Sequence, residues 1–193
     1  AGIENLYDSA LRDPTNHGAH ARASVIAAAQ YLGDSETVQR IASRFRDWLG
    51  RSDTGFVWRE LDWQADPDQR YGINPPGAEI DGADVDGVLP EEQRRSGRFK
   101  DPAPQESYVW EGLQGVVATA ELLHRAGYAV WEWEDQAIRR AFVWLYDVNE
   151  YHAEGDDRWI PWLINARYGM DLPTESPSQP GKNIGFTDWT HSR

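Results

Sequence analysis

Hydrophobic positions recur at helical spacing in several stretches of the chain and lose that period between them. In HGAHARASVIAAAQYL, residues 17–32, Ala21, Val25, Ala28 and Leu32 share a face and Gly33 ends the run. SETVQRIASRFRDWL, residues 35–49, aligns Val38, Ile41, Phe45, Trp48 and Leu49, with Gly50 as a natural stop. So short a link predicts an antiparallel helical hairpin. Period 3.6 returns in QESYVWEGLQGVVATAELLHRAG through Val109, Leu113, Val116, Ala120 and Leu123, and Gly127 closes it. A further helix is predicted from Glu134 to Tyr151 through Ile138, Ala141, Leu145 and Val148, and a short fifth over Trp159 to Tyr168.

Residues 51–104 break this texture, collecting Asp, Gly and Pro with no sustained period. FVWREL (56–61) reads as a short strand and the rest as a long loop, which Trp58, Trp63 and Tyr71 should keep ordered. From Gly169 the chain is rich in Pro, Ser and Gly. The expectation is one domain over 1–193, mainly α and built of helical hairpins. Its motif-bearing core covers 13–130, and 169–193 forms an extended tail.

Composition narrows the chemistry. The 193 residues suit a single core. Ten Trp and eight Tyr are unusual for this length and supply either large apolar area to the core or, since flat rings stack on sugar faces, the walls of a sugar-binding cleft. A net charge of −13 argues against nucleic acid and against an anionic membrane as partners. An anionic ligand then requires basic residues gathered locally. The apolar runs are too short to span a bilayer. The lack of a basic-then-apolar leader fits a secretion signal already removed or never present. With no cysteine, disulfides and thiolate metal sites are excluded.

Three stretches could carry chemistry. In DPTNHGAH, Asn16 before a helical run is an ordinary N-cap, but a helix N-terminus can also present Asn16 and His17 to a cleft, amide toward an anionic oxygen and imidazole as base. His17 and His20 lie i, i+3, yet no acidic residue sits at a matching helical position, so no metal is expected. In DVDGVLPEEQRRSGRFK, Arg94, Arg95, Arg98 and Lys100 form the densest basic cluster; such a run is either a solvated loop face or a trap for a carboxylated ligand. Asp84, Asp86 and Gly87 echo a calcium loop, but Gly82 occupies the first ligand position. In QESYVWEGLQG, Tyr108 and Trp110 open a helix, where a Tyr is either packing or, beside an Arg, a proton donor or acceptor.

Asn-His opening an alanine-rich helix, then DVDGVLPEEQRR, a further Arg, and a Tyr opening the next helix: this order resembles the α-helical alginate lyases and their glucuronan-cleaving relatives. The resemblance covers about 13–130 and implies an incomplete (α/α) toroid that cleaves a 4-linked uronate polysaccharide by β-elimination, outside the cell or in the periplasm. It implies that Asn16 and Arg98 neutralise the uronate carboxylate, with Arg94 and Arg95 as alternatives to Arg98. His17 and Tyr108 would share base and acid duties, in syn or anti course, with no metal or organic cofactor. Trp110, His20, Trp58, Trp63, Trp189, His191 and Lys182 are the further sugar-contact candidates. The family carries several helical hairpins ahead of its Asn-His, where this chain has fifteen residues. That leaves a fragment, a minimal open groove, or a cleft completed by a missing N-terminal segment or a second chain. Two other classes remain: a non-catalytic glycan-binding or scaffold domain, and a hydrolase drawing its carboxylates from Glu106, Glu111 and the acidic loop.

Overall fold

The computed structural model describes residues 2–50, 55–59, 62–174 and 184–192. The chain is mainly helical, and among the described residues its only sheet is a two-stranded antiparallel pair, β1 (Glu79–Ile80) with β2 (Ala83–Asp84). α1 (Gly2–Arg12) precedes α2 (Asn16–Leu32) and α3 (Ser35–Leu49). A single turn, α4 (Pro90–Gln93), leads to the long α5 (Ser107–Arg125). α6 (Trp133–Val143), α7 (Ile160–Tyr168) and α8 (Thr187–His191) complete the helices. None of them is long and apolar enough to cross a membrane.

The predicted hairpin forms as its end signals require. Gly33 adopts φ +71°, and its N–H returns to the carbonyls of Ala29 and Gln30, closing α2. Asp34 Oδ1 then accepts the Thr37 N–H at 3.0 Å, capping α3. α5 packs along α2, and small residues permit the close approach. A Cβ at Gly115 would stand 2.6 Å from the Ala19 and His20 backbone. α3 carries Phe45, Trp48 and Leu49 into the core, where Trp48 Nε1 donates to the Pro14 carbonyl at 2.8 Å.

Several expectations are corrected. Residues 56–59 are not a strand: Phe56 is buried and Val57 N–H bonds the Arg12 carbonyl, so this segment lines α1 instead of pairing in a sheet; residues 60 and 61 lie outside the described residues. α1 was not foreseen, although Leu6, Tyr7, Ala10 and Leu11 have helical spacing. On α2 the expected Ala21 and Val25 are buried together with Ala19, Ile26 and Ala29, but Ala28 and Leu32 are exposed. The helix expected over 134–151 is shorter. Glu134, Asp135 and Gln136 sit at φ 50°, 54° and 54°, and a π-type turn over Trp144–Val148 ends it, leaving Val148 exposed.

The long loop is ordered by polar anchors. Buried Asn74 donates through Nδ2 to the carbonyls of Trp63 (3.0 Å) and Val85 (3.1 Å). Asp86 Oδ1 accepts Arg140 Nε at 2.7 Å, tying loop to α6. Gly87 lies against that helix at φ +85°, where a Cβ would meet the Arg140 carbonyl at 2.3 Å. These contacts deliver Leu89 and α4 beneath the start of α5.

Candidate functional site

The N-terminal ends of α2 and α5 meet over α4. Asp13 Oδ1 accepts both the Thr15 N–H (2.8 Å) and the Thr15 hydroxyl (2.7 Å), which fixes the turn before α2. Thr15, not Asn16, is the N-cap residue. Asn16 is the first helical residue. Its N–H, one of the donors that an α-helix leaves without an intrahelical partner, goes to Glu92 Oε1 of α4.

Glu92 was missed as a site residue. It is 2% exposed, and Gly112 of α5 packs against its side chain, where a Cβ would lie 3.0 Å from Cγ. Burial pushes its carboxyl up to about 7, against the opposing pull of the Asn16 amide, Arg95 and Arg94. The signal available in the sequence was the spacing Glu91–Arg94 and Glu92–Arg95, two i, i+3 pairs on one turn.

The two pairs differ. Arg94 Nε bonds Glu91 Oε2 at 2.9 Å, and both side chains are mostly buried. Glu91 Oε1 also accepts the Arg59 N–H at 2.7 Å, so this pair fastens the long loop and brings Trp58–Arg59 up to α4. Arg95 Nε stands 3.4 Å from Glu92 Oε2, and its guanidinium lies 3.9 Å from the centre of the Tyr108 ring. Tyr108 is 39% exposed, so cation and phenol share an open surface. One turn along α5, Glu111 Oε2 is 4.0 Å from His20 Nε2.

Of the expected set, the structure connects Asn16, Arg95 and Tyr108 through Glu92. His17 is exposed on the first turn of α2, beside Asn16. Asn16 itself is 6% exposed and its Oδ1 is buried without a hydrogen-bond partner. Arg98 is exposed in the loop after Gly97, whose carbonyl accepts Trp63 Nε1 at 2.9 Å. Glu106, a hydrolase candidate, caps α5 by accepting the Tyr108 N–H at 3.2 Å. Asp84 and Asp86 accept backbone N–H groups from Asp86 and Gly77, which makes them loop fasteners.

Other candidates are placed elsewhere. Trp110 is 2% exposed, enclosed by the rings of Phe142, Tyr146 and Tyr151 at 5.9–6.2 Å; it belongs to the core and presents no face to a sugar. Trp63 is likewise buried, edge-on to Phe99 at 5.0 Å, while Trp58 is half-buried against Phe56. Trp189 is exposed on α8, which is held by the Thr187 hydroxyl donating to the Trp159 carbonyl at 2.6 Å. Burial pushes the His191 imidazole down, with Glu121, Arg167 and Arg125 as its charged surroundings. That places the tail near the C-terminal end of α5, some 13 residues and about 20 Å from Tyr108. Lys182 lies outside the described residues.

A cavity of about 320 Å³ lined by Arg12, Asp13, Pro14 and Arg59 borders the turn before Asn16. Among the described residues no group of three or more His, Asp or Glu could hold a metal ion. Comparison of the chain with protein-family models, with curated proteins and with solved structures finds no match.

Proposed function

We propose that the chain is a polysaccharide lyase of the incomplete (α/α) toroid kind, cleaving a 4-linked uronate polymer such as alginate or glucuronan at the joint N-terminal ends of α2 and α5. The observation that carries this reading is the Arg95 guanidinium set 3.9 Å from the ring centre of an exposed Tyr108. A fixed cation beside a phenol is what elimination from a uronate requires. The carboxylate must be neutralised for C5–H to become acidic, and a proton-transfer group must reach the same sugar.

In the proposed reaction a base removes the C5 proton, and that electron pair forms C4=C5 as the C4–O4 bond breaks. An acid protonates the departing O4. His17 and Tyr108 divide these duties, or Tyr108 performs both in turn. Arg95 and Arg98 face the carboxylate, while Arg94 is engaged by buried Glu91. Stabilising the charge that develops on the carboxylate is the part these cations play, by less on an open surface than in a site shielded from water. Asn16 contributes from below, anchoring the first turn of α2 to Glu92.

The test is incubation of the folded protein with alginate, glucuronan and related polyuronates while following ultraviolet absorbance of the unsaturated product. Absorbance should rise on at least one of them. A flat trace on the whole panel contradicts the enzymatic reading, and binding without product would assign a glycan-binding module.

A further inference from the structure

Glu92 is the one group joined to both halves of the site, and neither the motif resemblance nor the reaction above gives it a role. Its Oε1 accepts the Asn16 N–H at the start of α2, and its Oε2 lies 3.4 Å from Arg95 Nε. Arg95 in turn lies over Tyr108 of α5. Gly112 closes over the carboxyl stem, sealing it from water at 2% exposure. Glu92 is the carboxylate paired with the Arg95 guanidinium.

We propose that Glu92 is a proton-controlled positioning residue: its ionised carboxylate holds Arg95 across the Tyr108 ring, and its protonation releases the guanidinium, so the anion-facing pair assembles only when this buried carboxyl is charged. Burial raises the carboxyl to about 7, which brings the change close to neutral pH. The groups facing Glu92 are limited. Its own segment supplies Glu91, Arg94 and Arg95, α2 supplies the Asn16 amide, and α5 supplies the backbone of Gly112. Asp13, His17, His20, Glu106, Glu111 and Tyr108 are further titratable groups at this end of the two helices, with Arg98 and Lys100 in the loop before α5.

Geometry separates Glu92 from its neighbour Glu91. Glu91 is bonded by Arg94 and by the Arg59 amide, so both its oxygens are engaged. Glu92 Oε2 has only the longer Arg95 contact, without a hydrogen bond to either neutralise or replace it. A buried carboxyl oxygen without a hydrogen bond, beside a partly exposed cation, is the arrangement in which one proton changes a contact.

The inference rests on the proposed lyase site for its purpose, but its test does not depend on turnover. The full chain is labelled with ¹³C at its tyrosine rings, and the Tyr108 signal, assigned by its loss in Tyr108→Phe, is followed from pH 5 to 9. The wild-type signal is expected to step with a midpoint near 7 as Arg95 leaves the ring. Glu92→Gln should abolish the step, and so should Arg95→Gln, which leaves Glu92 in place should the first variant not fold. His17→Gln with His20→Gln should retain it. A step that survives Glu92→Gln or Arg95→Gln, is lost in the histidine variant, or is missing from the wild type overturns the proposal. On an active substrate, kcat/KM should share the step in wild type and lose it in Glu92→Gln. A Tyr108 step with no product on any polyuronate would sustain the positioning role and reject the lyase reading alone.

Discussion

Two glutamates stand at opposite ends of α5, each 2% exposed, and burial treats them oppositely. At the C-terminal end Glu121 is driven upward by burial, but hydrogen bonds from Arg167 and Arg125 outweigh it and leave the carboxyl below its ordinary value. Those bonds are short: Arg167 gives Nε (2.9 Å) and Nη2 (2.7 Å), and Arg125 gives Nε (2.9 Å). At the N-terminal end Glu92 has one backbone amide and one cation at 3.4 Å, and burial wins. Equal exposure therefore says little about a carboxyl's role; the depth of the surrounding protein, greater at Glu92, and the number and geometry of the donors decide it together. Glu121 is a saturated clamp joining α5 to α7. Glu92 is left partly unsatisfied beside an exposed Arg–Tyr pair, the condition under which a proton can do something.

The comparison can be broken most sharply through activity. Tyr108→Phe should lower product formation about 10²- to 10⁴-fold while polyuronate affinity stays nearly constant, as loss of a proton-transfer group requires. Equal loss of binding would instead make Tyr108 a sugar contact. Arg167→Ala strips two of three donors from Glu121 and leaves it to Arg125 alone, which should cost roughly 2–3 kcal/mol in urea unfolding. An equivalent loss in Arg95→Ala would erase the distinction between the two ends; the expectation there is about 1 kcal/mol or less.

Stability against pH gives the next contrast, with signs that oppose. Glu92 titrates higher in the folded than in the unfolded chain, so the folded state binds its proton more tightly. Its contribution is present below the ordinary carboxylate range and fades as pH rises toward 7, by up to roughly 3 kcal/mol. Glu121, held low, contributes above that range and fades as pH falls through its depressed value. Unfolding at pH 5 and pH 8 should show Glu92→Gln removing the first trend, and unfolding carried below the ordinary carboxylate range should show the same variant leaving the second. Smallest of all, Arg98→Ala should leave stability within about 0.5 kcal/mol, while slowing turnover if Arg98 faces the uronate.

The hairpin of α2 and α3, the body of α5 and the position of α7 were legible because each repeats at 3.6 and stops at a Gly or a cap. α1 carried the same signal and was passed over beside the polar DPTNH turn. The strand reading fails over 56–59 because Phe56, Val57 and Trp58, a short run of strand-prone residues, pack against α1 and α3 instead of a second strand, with Phe56 4.0 Å from the Arg44 guanidinium. At the site, the polar residues were visible as types but not as partners. Arg94, Arg95 and Arg98 look alike in sequence. Only packing shows Arg94 engaged by Glu91, Arg95 laid on Tyr108 and Arg98 exposed. Glu92 was hidden for a stronger reason: a charged residue on a four-residue helix reads as solvated, and nothing local announces that α5 will cover it.

The most direct measurement maps where a polyuronate oligomer binds, by chemical-shift perturbation of the ¹⁵N-labelled full chain. The account requires the largest changes at Asn16, His17, Arg95, Arg98 and Tyr108. Changes confined to Arg125, Arg167, Trp189 and His191, at the saturated end of α5, would contradict it.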